Sequence, residues 1–116
     1  MVDAIERHVD VDAIEMLKEI MEDDFVLLIN TFLNDGIERI SQIQDAAQSQ
    51  VADEIRRAAH SFKGSSANIG AHKLQGFCLE LENAGASNAL DNIPQVISEI
   101  NSEFETVTQI LKTHYL

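Results

Sequence analysis

The chemistry in this sequence gathers around one histidine. His60 stands in the stretch Ala58-Ala59-His60-Ser61-Phe62-Lys63-Gly64-Ser65-Ser66-Ala67-Asn68-Ile69-Gly70. On a helix, at about 100° per residue, Val51, Ala58, Phe62 and Ile69 fall within about 20° of the direction opposite His60. They form an apolar stripe suited to a core. On the histidine's own side, within about 60°, lie Asp53, Arg56, Arg57, Lys63, Gly64 and Ala67. This pattern predicts a histidine displayed to solvent in mid-helix. It would stand beside cations and beside two positions with almost no side chain.

Three chemistries can be tested on that display. A metal site needs a second His, Cys or carboxylate three or four residues away on the same face. Those places hold Arg56, Arg57, Lys63 and Gly64, and the three cations repel a metal ion. A hydrolytic triad needs a nearby Ser or Cys and a carboxylate to orient the imidazole. Ser61 lies about 100° around the helix, Asp53 lies two turns back, and an open helix surface has no oxyanion hole. The third chemistry uses His60 itself as nucleophile. Neutral imidazole carries a free ring lone pair at physiological pH and can attack phosphorus to give phosphohistidine. Lys63, one turn on, would meet the phosphoryl oxygens as a point charge. Arg56 and Arg57 would add positive field, while Gly64 and Ala67 would let a partner's backbone come close. A solvated surface histidine with no role does not explain why cations and small residues share its face.

Charge sharpens this picture. The chain carries a net charge of −12. That argues against nucleic acid, whose phosphates need Lys and Arg, and against anionic membrane surfaces. Residues 1–54 hold fourteen acids and three bases, and residues 77–116 hold six acids and one base. Residues 55–76 hold four bases (Arg56, Arg57, Lys63 and Lys73) and no acid. A basic island therefore surrounds His60, suited to an acidic partner or a phosphate. The single cysteine, Cys78, excludes an intramolecular disulfide and falls on an apolar helical face, where a small buried hydrophobe is expected. No signal peptide and no apolar run long enough to cross a bilayer is present, which predicts a cytoplasmic protein.

The elements needed to hold His60 are all helical. Strand formers do not alternate, and one domain of 116 residues is expected. Residues 1–9 read as loose. Asp10 or Asp12 can cap a short helix over 12–21, and Glu22-Asp23-Asp24 reads as a break and a new N-terminus. A long helix follows over 24–47, with Phe25, Leu28, Phe32, Ile37 or Gly36, Ile40 and Ile43 recurring along it. Gly36 there allows either a close helix approach or a bend. Ser49 is the expected cap of the His60 helix, about 50–69, which Gly70 ends in a left-handed conformation. The next helix covers about 72–84, with Leu74, Phe77, Cys78, Leu81 and Ala84 inward and Gly85 as a stop. After a loop over 85–92, Asp91 or Asn92 caps the last helix, with Pro94 in its first turn. Ile93, Ile97, Ile100, Phe104, Val107 and Leu111 give that helix a heptad-like stripe. The expected fold is all-α, an up-down-up-down four-helix bundle with a short extra N-terminal helix.

The run Ala59-His60-Ser61-Phe62-Lys63-Gly64-Ser65-Ser66-Ala67-Asn68-Ile69-Gly70 resembles the signature of histidine-containing phosphotransfer (HPt) domains, roughly Ala-His-x-Leu/Phe-Lys-Gly-Ser/Ala-Ser/Ala-x-x-Leu/Ile-Gly. The match continues through Leu74, Cys78 and Leu81-Glu82, and the resemblance covers about residues 10–113. It implies a four-helix bundle whose histidine accepts a phosphoryl group from the receiver-domain aspartate of a hybrid sensor kinase. The group then passes to the receiver domain of a response regulator. It further implies that His60 is the phosphorylated residue, that Lys63 stabilises the phosphoryl group, and that Gly64 keeps the surroundings open. Some family members place a glutamine against the histidine or its phosphate. Glu82 matches that position, and a carboxylate there departs from the pattern and argues against a phosphate contact.

By the same resemblance the receiver supplies the acceptor aspartate and Mg²⁺, and this chain needs no cofactor. Arg56, Arg57, Gly64 and Ala67 are the expected docking residues, with Ile14, Met21 and Phe25 either adding apolar contacts or serving as core. No nucleotide-binding fingerprint is present, so phosphate is not expected to come from ATP unaided. A monomer is expected because one face must stay open. The start at Met1 and the end one helix past the motif predict a free-standing protein of the bacterial type rather than a module of a larger kinase. The alternative function is a bundle that binds and titrates a receiver or other partner without transfer.

Overall fold

Short connections dictate the architecture. The computed structural model describes residues 2–116, with side chains from Ala4 onward. Its helices are α1 (Val2–Glu6), α2 (Val11–Met21), α3 (Phe25–Ser49), α4 (Ala52–Asn68), α5 (His72–Ala86) and α6 (Ile93–His114), with a 3-10 turn at Glu22–Asp24 between α2 and α3. Only Gln50 and Val51 separate α3 from α4. Two residues reach about 7 Å, whereas α3 is about 37 Å long, so α4 must double back. The same holds at Ile69–Ala71. The longer link at 87–92 is still too short to run the length of α6. The four long helices therefore alternate in direction, and α6 packs on both α5 and α3 to close the bundle.

The two ends are finished differently. At one end Asp10 caps α2, accepting a hydrogen bond from the Ala13 N–H at 3.1 Å. The Asp10 N–H donates to the Gly70 carbonyl at 2.8 Å, which ties α2 to the α4–α5 turn. Gly70 has φ +81°, the left-handed conformation expected of it. At the other end Gln50 takes a left-handed φ of 57° and closes α3. Among the described residues, no helix is long and apolar enough to cross a membrane.

Glycine and aromatic residues set the helix spacing. Phe32, Phe62 and Phe104, from α3, α4 and α6, meet at the centre with ring centroids 5.9–6.0 Å apart. Gly36 is small because the Phe104 ring occupies the space a Cβ would need, so it serves a close approach of α3 and α6. Gly85 does not stop α5; it lies inside the helix and is buried. A Cβ there would come within 2.8 Å of the Ala52 carbonyl oxygen and of the Arg56 backbone nitrogen. Gly85→Ala is therefore expected to destabilise the fold by about 1–2 kcal/mol, although alanine alone is the better helix former. The midpoint of a denaturant titration measures it, and a stabilised variant would refute the close approach.

Other expectations need correction. Residues 2–6 form a helical turn rather than a loose end, so two short helices precede the bundle; Met1 lies outside the described residues. Ser49 ends α3 and bonds back to the Ala46 carbonyl at 2.9 Å, and Val51 is the N-cap residue of α4. Val51 is accordingly exposed and leaves the apolar stripe, and so is Ile37 on α3. The buried face of α4 comprises Ile55, Ala59, Phe62, Ser66 and Ile69. Its centre is rotated about 40° from the point opposite His60, which tips the histidine toward α5.

Candidate functional site

That rotation assembles the site. His60 remains 64% exposed at mid-height on α4. Its Nδ1 lies 2.8 Å from Oε2 of Glu82 on α5. Lys63 Nζ lies 2.6 Å from the other oxygen, Oε1, of the same carboxylate. Glu82 is 16% exposed, so one partly buried carboxylate holds both residues of the HPt-like pair. Oε1 is shielded from water, and the Lys63 ammonium is the charge that compensates it.

Protonation follows from this geometry. The hydrogen bond from Lys63 holds the Glu82 carboxyl below the ordinary glutamate range; partial burial opposes this, and the bond to His60 adds to it. Glu82 is therefore ionised at neutral pH and can only accept. The neutral imidazole must carry its hydrogen on Nδ1, which leaves the Nε2 lone pair free on the exposed side of the ring. A depressed carboxylate value means that this bridge is complete at neutral pH and opens only as the solution is acidified through that lowered value.

The basic island is less bare in three dimensions than in sequence. Arg56 reaches Asp53 Oδ1 through Nη2 at 2.9 Å and through Nε at 3.1 Å, and Arg57 Nε lies 2.9 Å from Oδ2. The Arg56 guanidinium, helped by Arg57, lowers the Asp53 carboxyl below its ordinary value. Asp53 stands two residues before the acid-free stretch 55–76. The three groups are solvent-accessible, and such pairs exchange readily for an incoming anion. Gly64 and Ala67 are exposed, and nothing within 4 Å would meet a Cβ on Gly64, so the helix surface beside the ring is open.

The apolar residues expected beside the site divide. Ile14 is fully buried under the α4–α5 turn and Phe25 is 3% exposed, edge-on to Tyr115; neither can reach a partner. The reading of these two as docking contacts is corrected for that reason. Met21 is half-buried, packed against the core. The large apolar side chains that α2 and α3 do expose are Met16, Ile20, Val26, Leu27 and Ile37. Cys78 is buried, and burial pushes its thiol up to about 12, which makes it inert. Among the described residues, no three His, Cys, Asp or Glu side chains are grouped to hold a metal ion.

A helical bundle that displays a histidine on its open face, with a lysine and two arginines near it, has the arrangement a phosphoryl carrier needs. The chain belongs to the Hpt domain family: the family model matches residues 27–110. The crystal structure of histidine-containing phosphotransfer protein B (HptB) from Pseudomonas aeruginosa PAO1 is similar, at 38% identity and a TM-score of 0.90, over 91% of this chain and 92% of that one. A rice protein described as a histidine-containing phosphotransfer protein shares the fold at 22% identity and a TM-score of 0.81, over 90% of this chain and 77% of that one. Maize ZmHP2, a histidine-containing phosphotransfer protein, does so at 19% identity and a TM-score of 0.78, over 86% and 83%. No curated protein matches the chain at a significant level. Family membership supports a histidine phosphotransfer role within a phosphorelay, with receiver-domain proteins as partners.

Proposed function

We propose that the protein is a phosphorelay intermediate. It accepts a phosphoryl group on His60 from the receiver-domain aspartate of a hybrid sensor kinase and delivers it to a response-regulator receiver. The observation that carries this reading is the free, exposed Nε2 of His60, with the Lys63 ammonium held beside it by Glu82.

The step needs little from this chain. The Nε2 lone pair attacks phosphorus, the bond between phosphorus and the aspartate oxygen breaks, and its electron pair returns to the aspartate carboxylate. This chain positions the nucleophile and presents a bare surface at Gly64 and Ala67 for docking. Arg56 and Arg57 can give up Asp53 for acids on the receiver. Mg²⁺ belongs to the receiver, and a cytoplasmic monomer with no ATP-dependent kinase activity of its own fits the open face.

The test is phosphotransfer profiling. Labelled receivers encoded in the same genome are incubated with this protein, and at least one is expected to exchange label with it within minutes. Binding of a receiver without any exchange of label would instead support a titrating module. Lys63→Ala should slow transfer about tenfold, or shorten the life of the phosphohistidine to that extent, with the helical circular dichroism unchanged. Unaltered kinetics would remove Lys63 from the mechanism.

A further inference from the structure

Arg56 and Arg57 stand one turn before His60 on its own side of α4, and one carboxylate holds them both. Oδ1 of Asp53 accepts from Arg56, at 2.9 Å from Nη2 and 3.1 Å from Nε, and Oδ2 lies 2.9 Å from Nε of Arg57. Glu54, the next residue, turns to the Ser49 hydroxyl instead, at 3.3 Å. Both acids belong to the first turn of α4, where negative charge suits the helix dipole, and that role would account for either one. It does not account for the division of Asp53 between two arginines.

The consequence is electrostatic. On a chain of net charge −12, the two guanidinium groups and Lys63 supply the positive charge on the His60 face. Asp53 cancels one of the two guanidinium charges and occupies the donor forks that would read a partner's carboxylate. All three side chains are exposed, so the pairs are weak enough to open. A partner that brings carboxylates offers the arginines an equal exchange. A partner that offers only hydroxyls or apolar groups leaves them with Asp53, since charge-assisted bonds would be broken without replacement.

We propose that Asp53 is a specificity-determining residue, an internal stand-in for the partner's acid that keeps Arg56 and Arg57 occupied until an acidic segment of a receiver displaces it. That segment presents at least two carboxylates, one for each guanidinium. The role rests on the reading of the protein as a phosphorelay intermediate, and it goes further by naming what the receiver must bring. Asp53 touches no reacting atom. Its effect falls on encounter and discrimination: without its charge, docking is faster for every acidic partner, and strong and weak partners differ less.

The test has one arm without a receiver and one with. In the first, a hexa-aspartate peptide is titrated at low salt into ¹⁵N-labelled protein, and the side-chain N–H signals of Arg56 and Arg57 are followed by NMR. Asp53→Asn keeps the size and removes the charge. It is expected to bind the peptide about fivefold more tightly than wild type, the upper scale of an exposed ion pair. Glu54→Gln removes the same net charge one residue away and should stay within about twofold of wild type. In Asp53→Asn/Arg56→Gln/Arg57→Gln the gain should vanish. Matching circular dichroism spectra and melting curves verify the fold of each variant. In the second arm, kcat/KM for label exchange is measured with receivers of the same genome. Asp53→Asn should raise it at low salt, most for the weakest partners, and the gain should disappear at about 1 M salt. Equal peptide affinities for wild type and Asp53→Asn, or an equal gain in Glu54→Gln, would overturn the role of Asp53 whatever the receivers do. Absence of exchange with any receiver would overturn the relay while leaving the peptide affinities to be read independently.

Discussion

His60→Gln is expected to abolish phosphoryl acceptance, with label from a phosphorylated receiver falling at least about 100-fold while receiver binding persists. The chain has four histidines, and their surroundings differ. His8 turns Nδ1 onto the buried Glu103, at 2.8 Å from Oε2. His72 gives Nε2 to the Glu6 carbonyl at 2.7 Å. A carbonyl only accepts, so that nitrogen carries a hydrogen and has no lone pair to attack with. His114 lies in the last turn of α6, where a cation suits the helix dipole. His60 alone joins a bare Nε2 to a neighbouring ammonium through a shared carboxylate. Because the side chain projects to solvent, glutamine there leaves the core untouched, and the melting temperature should move by no more than a few degrees. Substantial label on the variant would place the acceptor elsewhere.

The second large effect is structural. Phe62→Ala should destabilise the protein by about 3–5 kcal/mol, the usual consequence of deleting a fully buried aromatic side chain. Phe62 has no exposed surface and meets Phe104 edge-on at 5.9 Å, and the Phe32 ring lies 6.0 Å from that of Phe104. The cluster joins α3, α4 and α6 at the height of the site. For a domain of this size the loss corresponds to a fall in melting temperature on the order of 10–20 °C. Phe62 is two residues from His60 and nearly opposite it around α4. The variant should therefore also loosen the display of the histidine, and thermal melts followed by circular dichroism give the first reading. A fall of less than about 3 °C would contradict the place given to this side chain.

How much of this was legible in the sequence depends on the range of the interaction. Periodicity within one helix gave the four long elements and the exposed face of His60, because those patterns depend on nearest neighbours; the last helix buries Val96 and Glu103 as well, with Ile97 and Phe104 of the expected stripe only half-buried. Gly70 was legible as a left-handed end because its position leaves few alternatives. Gly85 was misread because its role is a contact: the backbone of α4 runs beside it, and no local signal reveals that. The same contact gives a physical reason for the place of Glu82, which only the family resemblance had set beside the histidine. With α4 and α5 antiparallel and Gly85 against Arg56, a residue one turn earlier on α5 must face a residue one turn later on α4, which is His60. The pairing register, not the residue types, was the missing information. For Ile14 and Phe25 docking and core both stayed open, because an apolar residue near a helix end reads alike whether it faces a partner or the bundle; Ile14 is buried beside the α4–α5 turn and Phe25 lies edge-on to Tyr115.

The central claim is that the Nε2 atom of His60 carries the phosphoryl group. The most direct measurement is ³¹P NMR of the protein after transfer from a phosphorylated receiver, joined to peptide mapping of the modified residue. The account predicts one phosphohistidine resonance of the Nε2-linked kind, on the peptide that contains His60. A resonance of the Nδ1-linked kind, or phosphate on the His8, His72 or His114 peptide, would contradict it.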